Sequence, residues 1–529
     1  MRPRATVRRE PVASVMQMRR VVLSVVVALV IGGGVAASMM HPRRAEAGAD
    51  IGGSATSATA ATAPTAAPSS NPVQHLQFSY GPLDIAPGQN VIQTNTVLIP
   101  QPQEDGWVVG FKPNLKLADG TVPPVDVLHL HHGVWAVANR LDATAPPLPE
   151  RFIAAGEEKT ALEFPDGYGY RYATTDRWFL NYMIHNLTAK PYQVSITYDV
   201  DFVPATSPKA GTMKDVHPIW LDVENGKIYP VFDALKGDGS NGKYTYPDDD
   251  PDARRVNSYT LPTDGVLVKT FGHLHPGGLY DTFTVQRGEQ TKKIFTSKAK
   301  YYEPAGAVSW DVSMTATPDG WMVAVKAGDT LSISSTYDTK RASWYESMGL
   351  GVVWMYDGPG GNDPFTARID QKGVLTHGHL PENNHHGGKP TSLADPREAA
   401  SGPLASLIQI GSFEYAEGDL GANGKVPTVA AGQSITFDNL DAPQQNVWHT
   451  ITACKAPCTA STGIAYPLAN ADVQFDSGEL GDAGAPTAGR DTWTTPTDLA
   501  PGTYTYFCRI HPLMRGAFRV VPPASSAPK

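Results

Sequence analysis

From His75 onward the chain is built of short aromatic and β-branched runs, each cut off by Gly, Pro or Asp. Residues 106–117 (GWVVGFKPNLKL), 178–187 (WFLNYMIHNL) and 193–204 (QVSITYDVDFVP) are of this kind, and such runs bounded by turn formers read as strands. Residues 265–271, 280–286, 320–325 and 330–337 repeat the pattern. No long stretch keeps a 3.6-residue period, so no long helix is expected. Many short strands with frequent turns predict β-sandwiches or barrels. Residues 359–405 break the rhythm: they are rich in Gly, Pro, Asn and His and read as a connector. A further β unit then runs from near Leu407 to near Pro522.

The first 72 residues follow another logic. Six Arg precede an uncharged run from Val21 to Met40, and Arg43, Arg44 and an Ala45-Glu46-Ala47 site follow it. A basic start, an apolar core and an A-x-A-like site read as a secretory signal peptide. The run also reaches the roughly 20 residues that span a bilayer, so residues 1–47 are read as a signal peptide or a membrane anchor. The Arg excess before the run places the N-terminus inside. Either way the body is extracytoplasmic, secreted or held at the cell surface. Residues 48–72 are rich in Ala, Thr, Ser and Pro, with a single charge, Asp50. Such a segment buries too little apolar surface to offset its ordering entropy and reads as a spacer.

Composition narrows the classes. Of 529 residues, 50 are Gly and 45 Pro, which suits a loop-rich β protein. Only three are Cys, all in the last 80 residues, so no disulfide framework supports the body. The net charge is −9, and residues 1–47 are positive, so the body is strongly acidic. That argues against a nucleic-acid partner, whose phosphates need a basic face.

Chemistry is concentrated at the C-terminus. The run TYTYFCRIHPLMRGAFRVV holds Cys508, His511 and Met514, and NVWHTITA supplies His449. A thiolate, two imidazoles and a weak axial thioether make a blue-copper electron-transfer site. Cys454 and Cys458 in ACKAPC read as a local disulfide in an exported protein. The unit resembles a cupredoxin of the plastocyanin and amicyanin family. FDSGEL at 475–480, the short His511–Met514 gap and the ending GAFRV fit that family. His449, Cys508, His511 and Met514 match its four ligands, which implies one type 1 copper ion and a Greek-key β-sandwich.

The centre carries further candidates: His129, His131 and His132 in VLHLHHGVW, His185 in NYMIHNLT, His273 and His275 in GHLHPGGL, and Met348 in SWYESMGL. Alternate residues of a strand share a face, so His273 and His275 are good chelators. Adjacent His131 and His132 point to opposite faces unless the strand ends or twists, which Gly133 permits. His129 with His131 is the regular-strand alternative.

The joint pattern resembles the copper type II, ascorbate-dependent monooxygenases, the family of peptidylglycine α-hydroxylating and dopamine β-monooxygenases, over about residues 75–358. The resemblance implies two tandem jelly rolls and up to two more copper ions. One ion would be held by His131, His132 and His185, the other, the catalytic one, by His273, His275 and Met348. It also implies O2, a small organic substrate hydroxylated in a cleft, and an external electron donor such as ascorbate or a redox protein. Phe271 and Met183 stand where peptide-hydroxylating members carry an Arg and a polar residue, so a glycine-extended peptide is not the expected substrate. The whole reads as all-β: a jelly roll at 73–207, a second at 208–358, the connector 359–405, and a cupredoxin sandwich at 406–523. With both modules on one chain, the cupredoxin is expected to relay electrons to the central coppers. Copper handling without turnover and pure electron transfer are the competing classes. The connector cluster His377, His379, His385 and His386 is either another metal site or a hydrated loop. His75 and His217 read as structural.

Overall fold

The computed structural model describes residues 72–522 apart from 95–96, 126, 228, 303–310, 341, 381–394, 421–423, 446, 455–472, 482–489 and 512–513. The signal or anchor, the spacer, Cys458, His385, His386 and the side chain of Cys454 lie outside the described residues. Among those described, no helix is long and apolar enough to cross a membrane.

The chain is all-β. In the first sandwich a four-stranded layer runs in the order Asn90–Thr94, Trp178–Asn186, Leu128–Leu141, Pro149–Gly156. It faces a layer that includes Gln74–Ile85, Tyr192–Pro204 and Gly106–Leu117. Alternation sets the faces. In Tyr192–Pro204, Val194, Ile196, Tyr198, Val200 and Phe202 turn inward and are buried, while Ser195, Thr197 and Asp199 do not. Aromatic rings then join the layers. Phe111 stacks on Tyr198 at 5.5 Å and meets Trp135 edge-on at 5.1 Å, and Phe152 lies 4.8 Å from Trp178. Phe111 is fully buried, so its truncation to Ala should cost about 3–5 kcal/mol in lost burial and cavity.

The second half does not start a new sheet. Tyr168–Tyr172 pairs in parallel with Lys214–Asp222, which passes the sheet on to Gly349–Tyr356 and Gly265–Leu274. One 16-stranded sheet therefore runs through the 207/208 boundary and curls back over itself. The close approach is made by glycine: a Cβ on Gly351 would lie 2.3 Å from the ring of Phe283 on the covering strand.

The connector is less separate than its composition suggests. Val374–Leu375 pairs with Val312–Ala316, and Ala400–Leu404 is already the outer strand of the C-terminal sheet. That sheet has six strands, packed with a three-stranded one formed by Leu407–Ile410, Thr436–Asn439 and Thr492–Thr494. Tyr415, Phe437, Tyr506 and Phe518 fill the core between them.

Candidate metal centre

The hairpin Gly502–Phe507 and Arg515–Val521 delivers Cys508 at its end. The loop that follows is closed by its own backbone: Met514 N–H donates to His511 O (2.9 Å) and Cys508 N–H to Met514 O (3.2 Å). His449 enters from the neighbouring segment, tied at both N and O to Leu480. Among the described residues, His449, Cys508 and His511 are the group whose metal-binding atoms all lie within 4.8 Å of one another. Cys508 Sγ is 3.7 Å from Nδ1 of each His, and the two Nδ1 atoms are 3.2 Å apart. All three are buried, and so is Met514.

The donor chemistry fits a soft cation. His449 Nε2 donates to Asp441 (3.0 Å), which leaves Nδ1 as a lone pair aimed at the sulfur. Burial keeps His511 neutral, with its pKa well below the usual histidine range. Backbone N–H groups of Thr450 (3.4 Å) and His511 (3.3 Å) point at Sγ and stabilise a thiolate. Lone pairs converging in a dry site repel one another unless a cation lies between them. Two imidazoles, a thiolate and a nearby thioether are the donors copper prefers.

The central histidines meet in an arrangement different from the expected one. His129 and His185 are cross-strand partners with rings 5.1 Å apart. The strand Leu128–Leu141 continues through Gly133. Its register slips between Leu130 and His132, so His131 is bulged. A Cβ on Gly133 would meet Trp135 at 2.9 Å, so this glycine serves packing. The bulge brings His131 into the midst of the others, 5.9 Å from His129, 5.8 Å from His185 and 4.3 Å from His275 of the second sandwich. His132 turns to stack on Tyr229 at 5.6 Å. His131 and His275, expected to serve separate ions, one per sandwich, thus lie with rings 4.3 Å apart across the boundary.

Three of these rings have one nitrogen committed. Nδ1 of His129 donates to Val125 O and Nδ1 of His275 to Glu346 O, both at 2.5 Å, and Nδ1 of His273 faces Glu158 at 2.9 Å. An imidazole held this way presents its other nitrogen as a ligand. Nε2 of His273 and of His275 is buried with no hydrogen-bond partner. Burial lowers His129 to about 3 and holds His185 and His275 well below the usual range. Burial also opposes protonation of His273, but the Glu158 carboxylate outweighs it and lifts the ring to about 9. Met348 is buried. The Tyr337 hydroxyl accepts from His275 N (3.1 Å) and Met348 N (3.0 Å) and donates to Met348 O (2.6 Å). Leu274 pairs with Gly349, the last pair of that register.

The two groups meet. The ring of His511 is 6.0 Å from that of His185. Beside them lies a cavity of about 60 Å³, lined by His131, His185, His275, Asn90 and Glu346 of the body and by Thr450, Glu479 and Arg509 of the C-terminal unit. Asn90, opposite His185 in register, is buried with its Oδ1 unpartnered. Burial, then the Asp233 carboxylate, raises Glu479 to about 8. Arg509 pairs with Asp476 (3.0 Å) and lies over the ring of Trp344 at 4.7 Å.

No protein-family profile matches the chain, and no curated protein does. Among solved structures, an amicyanin mutant in its Cu(I) form is 21% identical over 24% of this chain and 90% of its own, with a TM-score of 0.13. A copper-containing nitrite reductase from Thermus scotoductus is 16% identical over 50% of this chain and 59% of its own, with a TM-score of 0.14. A structure of Sulfolobus turreted icosahedral virus is 8% identical over 54% of this chain and 90% of its own, with a TM-score of 0.24. Likenesses this slight carry no functional argument; the side chains make the case for copper.

Other candidates lie elsewhere. His377 Nε2 contacts the carbonyl of Glu158, and His379 Nδ1 contacts the buried carboxylate of Asp311. Both connector histidines are thus tied to the second sandwich and its border with the first. His75 and His217 pair with Asp201 and Asp357 at the surface. Asn186, which heads a glycosylation sequon, is fully buried and donates to Ala86 O and Lys190 O. Sequence reasoning missed Asp441, Glu157, which lies 3.6 Å from His131 Nδ1, Glu158, Asn90 and Tyr337. The pair of glutamates in AAGEEKTAL carried the one available signal, acidic residues at the end of an apolar run, with nothing to mark them as buried.

Proposed function

We propose that the chain is an exported copper oxidoreductase in which the Cys508 centre exchanges electrons with a histidine centre of the body. The ring contact between His511 and His185 carries this reading. His449, Cys508, His511 and Met514 would hold one copper. His131, His185 and His275, whose rings gather at the cavity, would hold another, with His273 and Met348 as further candidates. Copper at these positions supplies one-electron redox chemistry and, at the histidine-lined cavity, activation of O2.

The chain's own residues do the rest. The edge-on approach of the buried His511 and His185 rings would give a short electron path. Asn90 offers an amide to a small ligand in the cavity. Glu479 holds a proton beside it at neutral pH, where reduction of an oxygen-bearing molecule consumes protons. Asp441 and the Glu346 carbonyl orient His449 and His275.

The monooxygenase form of this reading is hydroxylation of a small organic substrate, with ascorbate or a redox protein as donor. Its support is the Tyr337 hydroxyl, which binds the backbone of both His275 and Met348, so that the thioether would lie near the His273 and His275 imidazoles. The test is metal analysis with optical and EPR spectra, followed by stopped-flow reduction. The expected result is an intense thiolate-to-copper band, at least one further copper per chain, and passage of electrons from the first to the second before O2 is consumed. Copper bound at Cys508 alone, with no O2 uptake under any donor, would reject it. Met348→Ala separates the two forms: loss of O2 uptake with the thiolate band intact supports hydroxylation, and unchanged uptake removes Met348 from the chemistry.

A further inference from the structure

The loop between Leu407–Ile410 and the core residue Tyr415 has an unusual backbone. Gly411 and Glu414 exchange both backbone hydrogen bonds at 3.1 Å. The residues between them, Ser412 (φ 53) and Phe413 (φ 65), are both left-handed, a region that bulky side chains rarely enter. Asp441 holds them there: one carboxylate oxygen accepts from Ser412 N (2.7 Å) and the other from Phe413 N (3.1 Å). The oxygen bonded to Phe413 also accepts a hydrogen bond from His449 Nε2 (3.0 Å). Ser412 and Glu414 are exposed, whereas the Phe413 ring is turned inward. It lies edge-on to His449 at 5.6 Å and to His511 at 4.9 Å.

The first sandwich provides the other half of the contact. Gly88 (φ +61) is buried in the turn before Asn90–Thr94, and its N–H is fixed to Thr188 O at 3.0 Å. A Cβ at this position would lie 2.2 Å from the Phe413 ring and 3.0 Å from Val447. Only glycine suits both the φ and the space. Two residues on, Asn90 pairs with His185.

We infer that Phe413 is a positioning residue, socketed on Gly88, that seats His511 against His185 and seals the Cys508 centre from small reagents in solvent. The electron-transfer half of this inference rests on the relay proposed above; the seal does not require metal. Hydrophobic burial alone would not explain why strained backbone and a shared carboxylate are spent on one ring.

The test uses the full chain and the variants Phe413→Ala, Phe413→Leu and Gly88→Ala. In metal-free protein, alkylation of Cys508 by iodoacetamide is followed by peptide mass. Phe413→Ala and Gly88→Ala should speed it roughly tenfold, while Phe413→Leu, which refills the socket, stays near the parent. In copper-loaded protein, oxidation of the reduced thiolate centre by hexacyanoferrate(III) should accelerate in the same order, with its absorption band unmoved. Alkylation within about twofold of the parent in both Phe413→Ala and Gly88→Ala, with circular dichroism unchanged, overturns the inference. If Gly88→Ala does not fold, the comparison of Phe413→Ala with Phe413→Leu decides alone. Accelerated alkylation in a protein whose parent shows no internal electron transfer would uphold the seal and reject the relay.

Discussion

His511 and His185 belong to different β units, are both buried to 1% exposure, and lie with rings 6.0 Å apart at 73° to one another. In the proposed relay, an electron leaving the thiolate centre by His511 would enter the body at His185. Replacing His185 by Phe keeps the ring and removes its nitrogens. The thiolate band should persist, and electron transfer into the body, followed by stopped flow, should slow at least about tenfold, since removing a metal ligand alters both affinity and potential. An unchanged rate would place the electron path elsewhere.

Asp441 is linked to three groups: His449 Nε2 and the amides of Ser412 and Phe413. Asp441→Asn retains the shape and removes the charge. Loss of such a partner typically weakens metal binding about 10–100-fold. Competition of a copper chelator against the Cys508 centre measures this directly, and Cys508→Ala supplies the baseline in which the thiolate band is absent.

Tyr337 offers a different kind of test. Its hydroxyl oxygen serves two buried amides, those of His275 and Met348. In Tyr337→Phe both lose their acceptor, at a cost of about 2–4 kcal/mol in urea unfolding. Copper affinity in the body should fall too, because His275 and Met348 are no longer fixed side by side. Full stability in this variant would contradict the geometry.

Asp222 gives a pH-dependent prediction. Burial lifts its carboxyl from 3.8 to about 6. A proton held more tightly in the folded state stabilises it below pH 4, and this contribution is lost as pH rises through about 6. Asp222→Asn should therefore unfold at higher urea than the parent at pH 7, by roughly 2–3 kcal/mol, and show no advantage at pH 4. The amide oxygen still accepts from Glu224 N, the bond now made at 2.9 Å.

The strands were largely readable because alternation is a local property. Residues 106–117 form a strand at those bounds, and the run read at 193–204 extends by one residue, to Tyr192–Pro204. The grouping of Cys508 with His511 was readable too, since one short loop carries both. The meeting of His131 with His275 was not. It depends on a bulge in Leu128–Leu141 and on a parallel pairing between strands far apart in the chain, neither of which leaves a mark in residue type. Asp441 escaped notice for a related reason. Its role comes from the left-handed turn at Ser412 and Phe413, which local composition gives no cause to expect.

The parallel pairing of Tyr168–Tyr172 with Lys214–Asp222 has a mechanical consequence. Two sandwiches joined by a loop can rock apart, but two that share backbone hydrogen bonds across their seam have no hinge. Opening the space between His131 and His275 would mean tearing a sheet. The spacing of the central histidines is thus a built-in dimension of the scaffold, and any gating must come from the C-terminal unit or from side chains.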